Sequence, residues 1–306
     1  MQDARWADQE RAERSGAEGV TMGINPSRVA RHASRLLYFP GCALKDQAHA
    51  YEEATLAALA ALGYEIQELP RWNCCGTVYA LAQDDLMRHV GPLRNLIRAQ
   101  EQGAEELLTL CAMCYHTLSR TARFVQNPEN LRRLNAFMDE EEDYRGGVRV
   151  LHLVQLLAGL VERLPRAVKV DLAGLRVGAY YGCTLLRPRD VAVDHPERPE
   201  VMEEVLAALG AEPVRFPERV ECCGAYLTVT EPEAVRLRVG SILLSAAQNG
   251  AEALVTACPL CHFNLRERRP LGAPKLPVVY LGEVLAWALG VKPVPEALAP
   301  RVGVKG

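Results

Sequence analysis

Ten cysteines fall in this 306-residue chain as two copies of one pattern, with none left over. Each copy is a lone Cys, then Cys-Cys-Gly, then Cys-x-x-Cys. The first set is Cys42, Cys74, Cys75, Cys111 and Cys114, and the second is Cys183, Cys222, Cys223, Cys258 and Cys261. The spacing repeats as well, with 36 residues from Cys75 to Cys111 and 35 from Cys223 to Cys258. Five soft thiolates per set call for a thiophilic metal or an iron-sulfur cluster.

Four chemistries compete for such a pattern. Structural zinc uses Cys-x-x-Cys pairs but wants four ligands, and each set offers five, including adjacent cysteines poorly suited to one tetrahedral ion. Disulfides fit less well, because neighbouring residues have Cα atoms about 3.8 Å apart, short of the usual disulfide range. A haem-attachment motif occurs at Cys258-Pro259-Leu260-Cys261-His262 but fails in the sister set, where Tyr115 separates Cys114 from His116. Iron-sulfur ligation accommodates the adjacent pairs, since a multi-iron cluster offers several metal atoms within a few Å. Gly76 and Gly224 then let the backbone approach and turn sharply after each pair. The chemistry alone favours clusters and an electron-handling protein.

Length and composition set the frame. A chain of 306 residues suggests about two domains. The balance of 35 basic and 38 acidic residues, a formal charge of -3, gives no global electrostatic reason to expect nucleic acid or an anionic membrane as partner. Apolar runs such as 151–161 are interrupted by His152, Gln155 and Gly159, so no transmembrane segment is expected. Residues 1–34 read as a flexible N-terminal extension without a secretory signal, and Met22 offers an alternative start. The expected location is the cytoplasm, where paired cysteines are more often metal-binding or redox-active than disulfide-bonded.

The cysteines sit inside a longer duplication. The segment 103–111 aligns without gaps on 250–258, and Leu-Ala-Ala-Leu-Gly occurs at both 59–63 and 206–210. Each copy alternates apolar strands with helices. Strands at 36–39 and 176–181 lead to the lone cysteines, further strands precede the Cys-Cys-Gly groups, and strands at 106–110 and 253–257 run into the Cys-x-x-Cys pairs. Helices are expected at roughly 84–102 and 231–249, with a last strand and helix near 148–154 and 278–284. This predicts an α/β fold of two tandem domains related by a pseudo-twofold axis. Each has a mainly parallel sheet flanked by helices and a cluster site at the carboxyl edge of its strands. The expected bounds are 35–166 and 167–291, followed by a loose tail at 292–306.

These residues resemble the Cys-Cys-Gly (cysteine-rich) domain family, most closely its heterodisulfide reductase branch, the B-type chains. The segments that carry the likeness are Tyr38-Phe39-Pro40-Gly41-Cys42, the two Cys-Cys-Gly groups, and 258–265; it spans about 36–291. The resemblance implies two non-cubane 4Fe-4S clusters, one per domain, with all five cysteines of each set as ligands and the chemistry assigned to the clusters themselves. It implies an oxidoreductase acting on sulfur groups, which reduces a CoB-CoM-type or related bacterial disulfide. Its expected partners are an A-type flavin subunit and a C-type ferredoxin-like iron-sulfur subunit. Other members imply the alternative role, an electron-transfer subunit of a flavoprotein dehydrogenase of succinate, glycolate, lactate or glycerol-phosphate type.

Residues near the cysteines have plainer roles available. His116 and His262 read as neighbours of the ligands rather than ligands, with proton supply the minority role. Lys45, Arg187 and Arg189 follow the lone cysteines, where a cation can attract an anionic substrate but is more often solvated. Tyr38, Tyr180 and Tyr181 read as packing residues, and Leu56, Leu59 and Leu62 as core.

Overall fold

A computed structural model describes residues 34–77, 86–138 and 140–300. The expected N-terminal extension lies outside the described residues up to position 33. The described residues from 34 to 300 fall in one compact unit that holds both copies of the repeat.

The first copy runs β1 (Ser34–Phe39), α1 (Cys42–Lys45), α2 (His49–Ala61), β2 (Tyr64–Glu68), α3 (Val90–Glu101), β3 (Glu106–Thr109), α4 (Ala112–Phe124), α5 (Pro128–Asn135), β4 (Arg149–His152) and α6 (Leu153–Ala158). After a linking turn, α7 (Leu164–Ala167), the second runs β5 (Arg176–Tyr180), α8 (Val201–Ala208), β6 (Glu212–Val214), α9 (Pro232–Gln248), β7 (Ala253–Thr256), α10 (Pro259–Glu267), β8 (Val278–Tyr280) and α11 (Leu281–Ala288). The two sheets have the same topology, β2-β1-β3-β4 and β6-β5-β7-β8. Every pairing is parallel.

The strands show why they pair this way. β3 and β7 are buried along almost their whole length (Leu107, Leu108, Thr109; Ala253 to Thr256), as expected of central parallel strands covered on both faces. In each sheet the chain winds one way from the first strand to the second and the other way to the third. The crossover therefore reverses between β1 and β3, and between β5 and β7, and a crevice opens beyond their carboxyl ends.

The two copies interlock reciprocally. A helix that follows the first strand of one copy packs on the last helix of the other: α2 on α11, and α8 on α6. At the first contact the rings of Tyr51 and Tyr280 stack at 4.2 Å and 4°. Gly282 lets the backbones come this close, since a Cβ there would lie 1.8 Å from Thr55 Oγ1. The last strands feed their helices through matching caps. The Gln155 side chain accepts from the His152 amide, while the Glu283 carboxylate accepts from the Tyr280 amide.

Three sequence expectations change. The buried face of α2 is Tyr51, Thr55, Ala58 and Leu59, whereas Leu56 and Leu62 are only half-buried, because α11 covers the helix from the other copy. The helix expected from about 84 begins at Val90, after a single 3-10 turn at Met87–His89; residues 78–85 lie outside the described set. The segment after 291, expected to be loose, is docked as far as it is described. Leu298 is fully buried and the Lys292 amide bonds to the Ala286 carbonyl.

Gly282→Ala is expected to wedge α2 from α11 and to cost about 1–3 kcal/mol. Thr55→Ala in the same chain should recover part of that loss in urea denaturation, since it removes the atom closest to the new methyl.

Candidate functional site

Each cysteine group follows a strand. Cys42 and Cys183 follow β1 and β5, the Cys-Cys-Gly groups follow β2 and β6, and the Cys-x-x-Cys pairs open α4 and α10 directly after β3 and β7. The fold thus brings residues from three distant stretches to one edge of each sheet. Gly41 and Gly182, both with positive φ (71° and 67°), make room at the centre. A Cβ on Gly41 would lie 2.8 Å from Cys114 Sγ, and one on Gly182 3.2 Å from Cys261 Sγ.

The ten sulfurs form a file of contacts eight long, from Cys42 to Cys223, which the backbone joins to a further pair, Cys222 and Cys183. Cys42 Sγ lies 4.0 Å from Cys74 Sγ. Cys74 touches Cys75, which meets Cys114, which meets Cys111. Cys111 then contacts Cys258 across the pseudo-twofold axis. Cys258 meets Cys261, whose sulfur is 3.5 Å from Cys223 Sγ. Cys222 is next in the chain and contacts Cys183. The file is exposed at Cys42 and Cys74, half-buried at Cys183 and Cys222, and buried between. Among the described residues no group of three or more His, Cys, Asp or Glu side chains stands placed to hold a single metal ion.

Such a file cannot ionise throughout. A hydrogen bond from Cys114, aided by one from Cys74, draws the Cys75 thiol down to about 4, and a hydrogen bond from Cys183 draws Cys222 down to about 6. Cys258, taking hydrogen bonds from Cys111 and Cys261, is also held low. The donors are pushed up in turn: Cys114 by its neighbours Cys111 and Cys75, Cys261 by Cys223 and Cys258, and both by burial. Backbone amides add support, from Gly76 to Cys74 Sγ (3.5 Å) and from Gly224 to Cys222 Sγ (3.3 Å). A positively charged metal core would let all ten act as thiolates, and the donor set fits that chemistry.

The cations singled out near the lone cysteines have other partners. Lys45 pairs with Glu52 at 2.9 Å and Glu68 at 2.6 Å, and Arg187 holds the Val220 carbonyl and Glu197, both at 2.9 Å. Arg189 is exposed. His116 is half-buried, and desolvation lowers it to about 4. A ring nitrogen of His262 lies 3.1 Å from the Val278 carbonyl. The tyrosines do more than pack. Tyr180 Oη donates to the Glu221 carbonyl beside Cys222 (2.7 Å), and Tyr181 Oη donates to buried Glu203 (2.5 Å).

Several contacts of the site join residues far apart in the sequence. Thr77 Oγ1 and Tyr226 Oη meet at 3.1 Å, tying the first Cys-Cys-Gly loop to the second. Asn264 Nδ2 donates to the Cys223 carbonyl (3.0 Å) and approaches its sulfur (3.7 Å). Beneath the Cys-x-x-Cys loops each copy holds one Tyr-His pair, with the positions exchanged. Tyr115, after Cys114, is edge-on to His152 at 5.7 Å, whereas His262, after Cys261, stacks on Tyr280 at 3.9 Å. His152 is fully buried, and its Nε2 faces the carbonyls of Leu110 and Ala257 without closing a full hydrogen bond to either. The i+3 spacing of Asn264 from Cys261 was a usable hint; the contacts between copies had none.

The fold and site define a duplicated parallel α/β protein with a paired thiol centre. The chain belongs to the cysteine-rich domain family, which matches it twice, at residues 36–119 and 177–266. It is 31% identical over 263 residues to the membrane anchor of the 8-methylmenaquinol:fumarate reductase of Wolinella succinogenes, covering 83% of this chain and 92% of that one. It is 30% identical to a protein of Archaeoglobus profundus described as similar to the B chain of heterodisulfide reductase, covering 83% and 90%. It is 27% identical to the B chain of the ferredoxin/F(420)H(2)-dependent CoB-CoM heterodisulfide reductase of Methanosarcina acetivorans, covering 85% and 91%. The fold recurs in the crystal structure of a hypothetical protein from Helicobacter pylori at TM-score 0.67 and 13% identity; the match covers 87% of this chain and about half (54%) of that one. Among the described residues no helix is long and apolar enough to cross a membrane.

Two measurements probe the site without any cofactor. Thr77→Val and Tyr226→Phe should each cost about 0.5–1.5 kcal/mol in urea denaturation, and the double variant little more than either single one. Burial holds His152 at about 4, below its ordinary 6.5, so the unfolded chain takes up this proton first as pH falls. Stability from this group is complete above pH 6.5 and declines towards pH 4, by up to about 3 kcal/mol. The stability gap between wild type and His152→Gln should narrow over that window.

Proposed function

We propose that this chain is the iron-sulfur subunit of an oxidoreductase complex that reduces a small disulfide between two centres. One centre would be held by Cys42, Cys74, Cys75, Cys111 and Cys114, the other by Cys183, Cys222, Cys223, Cys258 and Cys261. The observation that carries this reading is the direct contact between Cys111 and Cys258, which joins the five thiols of the first copy to those of the second. Two equivalent sites that touch suit a reaction needing two electrons at one place. Cleaving a disulfide is such a reaction: two electrons and two protons convert RS-SR′ into RSH and R′SH. The bound clusters, of the non-cubane 4Fe-4S type, would supply those electrons. Both copies keep all five cysteines, as a paired mechanism requires.

The protein's own residues would hold and shape this centre. Gly41 and Gly182 leave the space that a side chain would fill, and the amides of Gly76 and Gly224 offset charge on Cys74 and Cys222. The Thr77–Tyr226 contact fixes the separation of the two Cys-Cys-Gly loops. Electrons would arrive from partner subunits, a flavin-containing A type and a ferredoxin-like C type, in the cytoplasm. The 31% identity to a fumarate reductase component favours a second reading, in which the same two centres pass electrons within a flavoprotein dehydrogenase or reductase without cleaving a disulfide.

Anaerobic reconstitution should load about eight irons per chain, and Cys42→Ala or Cys183→Ala should lower this to about four. Zinc bound in place of iron would refute the cluster assignment. Reduced protein that consumes CoB-CoM-type or other small disulfides, followed by thiol release, supports the first reading. Full iron content with electron exchange to a quinone or flavoprotein, and no thiol release, establishes the second.

A further inference from the structure

The pseudo-twofold repeat is broken on one face, and the break identifies an interaction surface. Extending the gapless alignment of 103–111 on 250–258 back through the preceding helices pairs Ile97 with Leu244, Val90 with Leu237, and Leu93 with Gly240. The inner positions match in environment, since Leu96 and its counterpart Leu243 are both fully buried. The outer ones do not. Ile97 is fully buried on α3, whereas Leu244 is 48% exposed on α9 and Leu237 is 76% exposed.

Among the described residues, the second copy lacks a cover on this helix that the first copy has. There, 24 residues (125–148) join α4 to β4, against ten (268–277) between α10 and β8. The longer connection lies along α3. Glu141 pairs with Arg94 at 2.6 Å and reaches Arg98, Gln100 donates to the Asp143 carbonyl, and the Arg145 amide donates back to Gln100. Leu134, Met138 and Tyr144 of this connection are buried. In the second copy Pro270 abuts Gly240, and Leu271 beside it is fully exposed. Among the described residues, six of the seven large apolar side chains that stand exposed lie between 227 and 271.

We infer that the outer face of α9, bordered by Leu271, is the docking surface for an apolar-faced helical segment of a protein partner, which takes the place that 125–148 occupies on the first copy. The face fits protein rather than a charged lipid surface. Its exposed stripe is Leu237, Ser241, Leu244 and Gln248, without a charge, and Ser241 and Ser245 stand where α3 has Arg94 and Arg98. The nearby arginines are neutralised locally, Arg236 by Glu233 at 2.7 Å and Arg238 by Glu221 at 2.8 Å.

The N-terminal end of this helix adjoins the second thiol set. Glu221 immediately precedes Cys222, and a Cβ on Gly224 would lie 3.0 Å from Val235 Cγ2 of α9. A partner seated there stands beside Cys222 and Cys223, so electrons enter through the second copy. That last step rests on the two-centre reading; the docking surface does not.

The test is the tagged full chain expressed in its own host, with Leu237→Glu, Leu244→Glu and Leu271→Glu introduced together on this exposed face. Hydroxyl-radical footprinting should show Leu237, Leu244 and Leu271 protected at least fivefold in the purified complex relative to the free chain. The triple variant should fold and load iron as wild type does, accept electrons from dithionite normally, and lose the partner together with its electron delivery. Full protection in a complex whose chain binds no iron would uphold the surface and remove the cluster reading. Unchanged footprints and a retained partner would overturn the proposal. So would a variant-sensitive dimer of the free chain, or variant-sensitive flotation with phosphatidylglycerol-phosphatidylethanolamine vesicles, which would assign the face to a second copy or to lipid.

Discussion

Packing ten thiols close together is electrostatically self-limiting, and the rest of the molecule is arranged around that constraint. Without a metal core, thiolates can exist only where neighbours remain protonated to solvate them, as Cys75 sits between Cys74 and Cys114. The α/β scaffold accepts this arrangement because two interlocked sheets hold the sulfurs from both sides. The reciprocal packing of α2 on α11 and α6 on α8 places the two sheet edges so that the innermost cysteines meet. Loosening either helix pair would separate Cys111 from Cys258 and divide the file in two.

Much of this was legible in the sequence. The cysteine sets, the strands before them and the parallel α/β class follow from spacing and apolar runs, because each depends on residues close in the chain. The grouping of each set at one sheet edge also followed, since a ligand crevice at strand carboxyl ends is a property of the topology. Contacts between the copies were not legible. Nothing about Thr77 or Tyr226 marks them as partners 149 residues apart, and Lys45 looked available until its two carboxylate partners came into place. The half-burial of Leu56 and Leu62 has the same origin: a helical period says which residues are apolar, but not from which side the neighbouring copy arrives.

The two copies share strand order, cysteine sets and helix caps, yet differ in their outer layer. The first carries its own cover over α3, and the second leaves the matching helix bare. A duplicated core with unequal coats leaves its two thiol sets unequally accessible. Exposure along the file differs too, greater at Cys42 and Cys74 than at Cys183 and Cys222.

The exchanged Tyr-His pairs bear on the history of the chain. A protein assembled from two identical halves would have carried the same residue at both equivalent positions, and here Tyr115 and His152 face His262 and Tyr280 in reversed order. Tyr51, from the first copy, stacks on Tyr280 of the second, so two first copies placed together would set that ring against a histidine instead. The halves have become complementary rather than interchangeable. Within one polypeptide each half supplies the ring that the other's surface is shaped to meet.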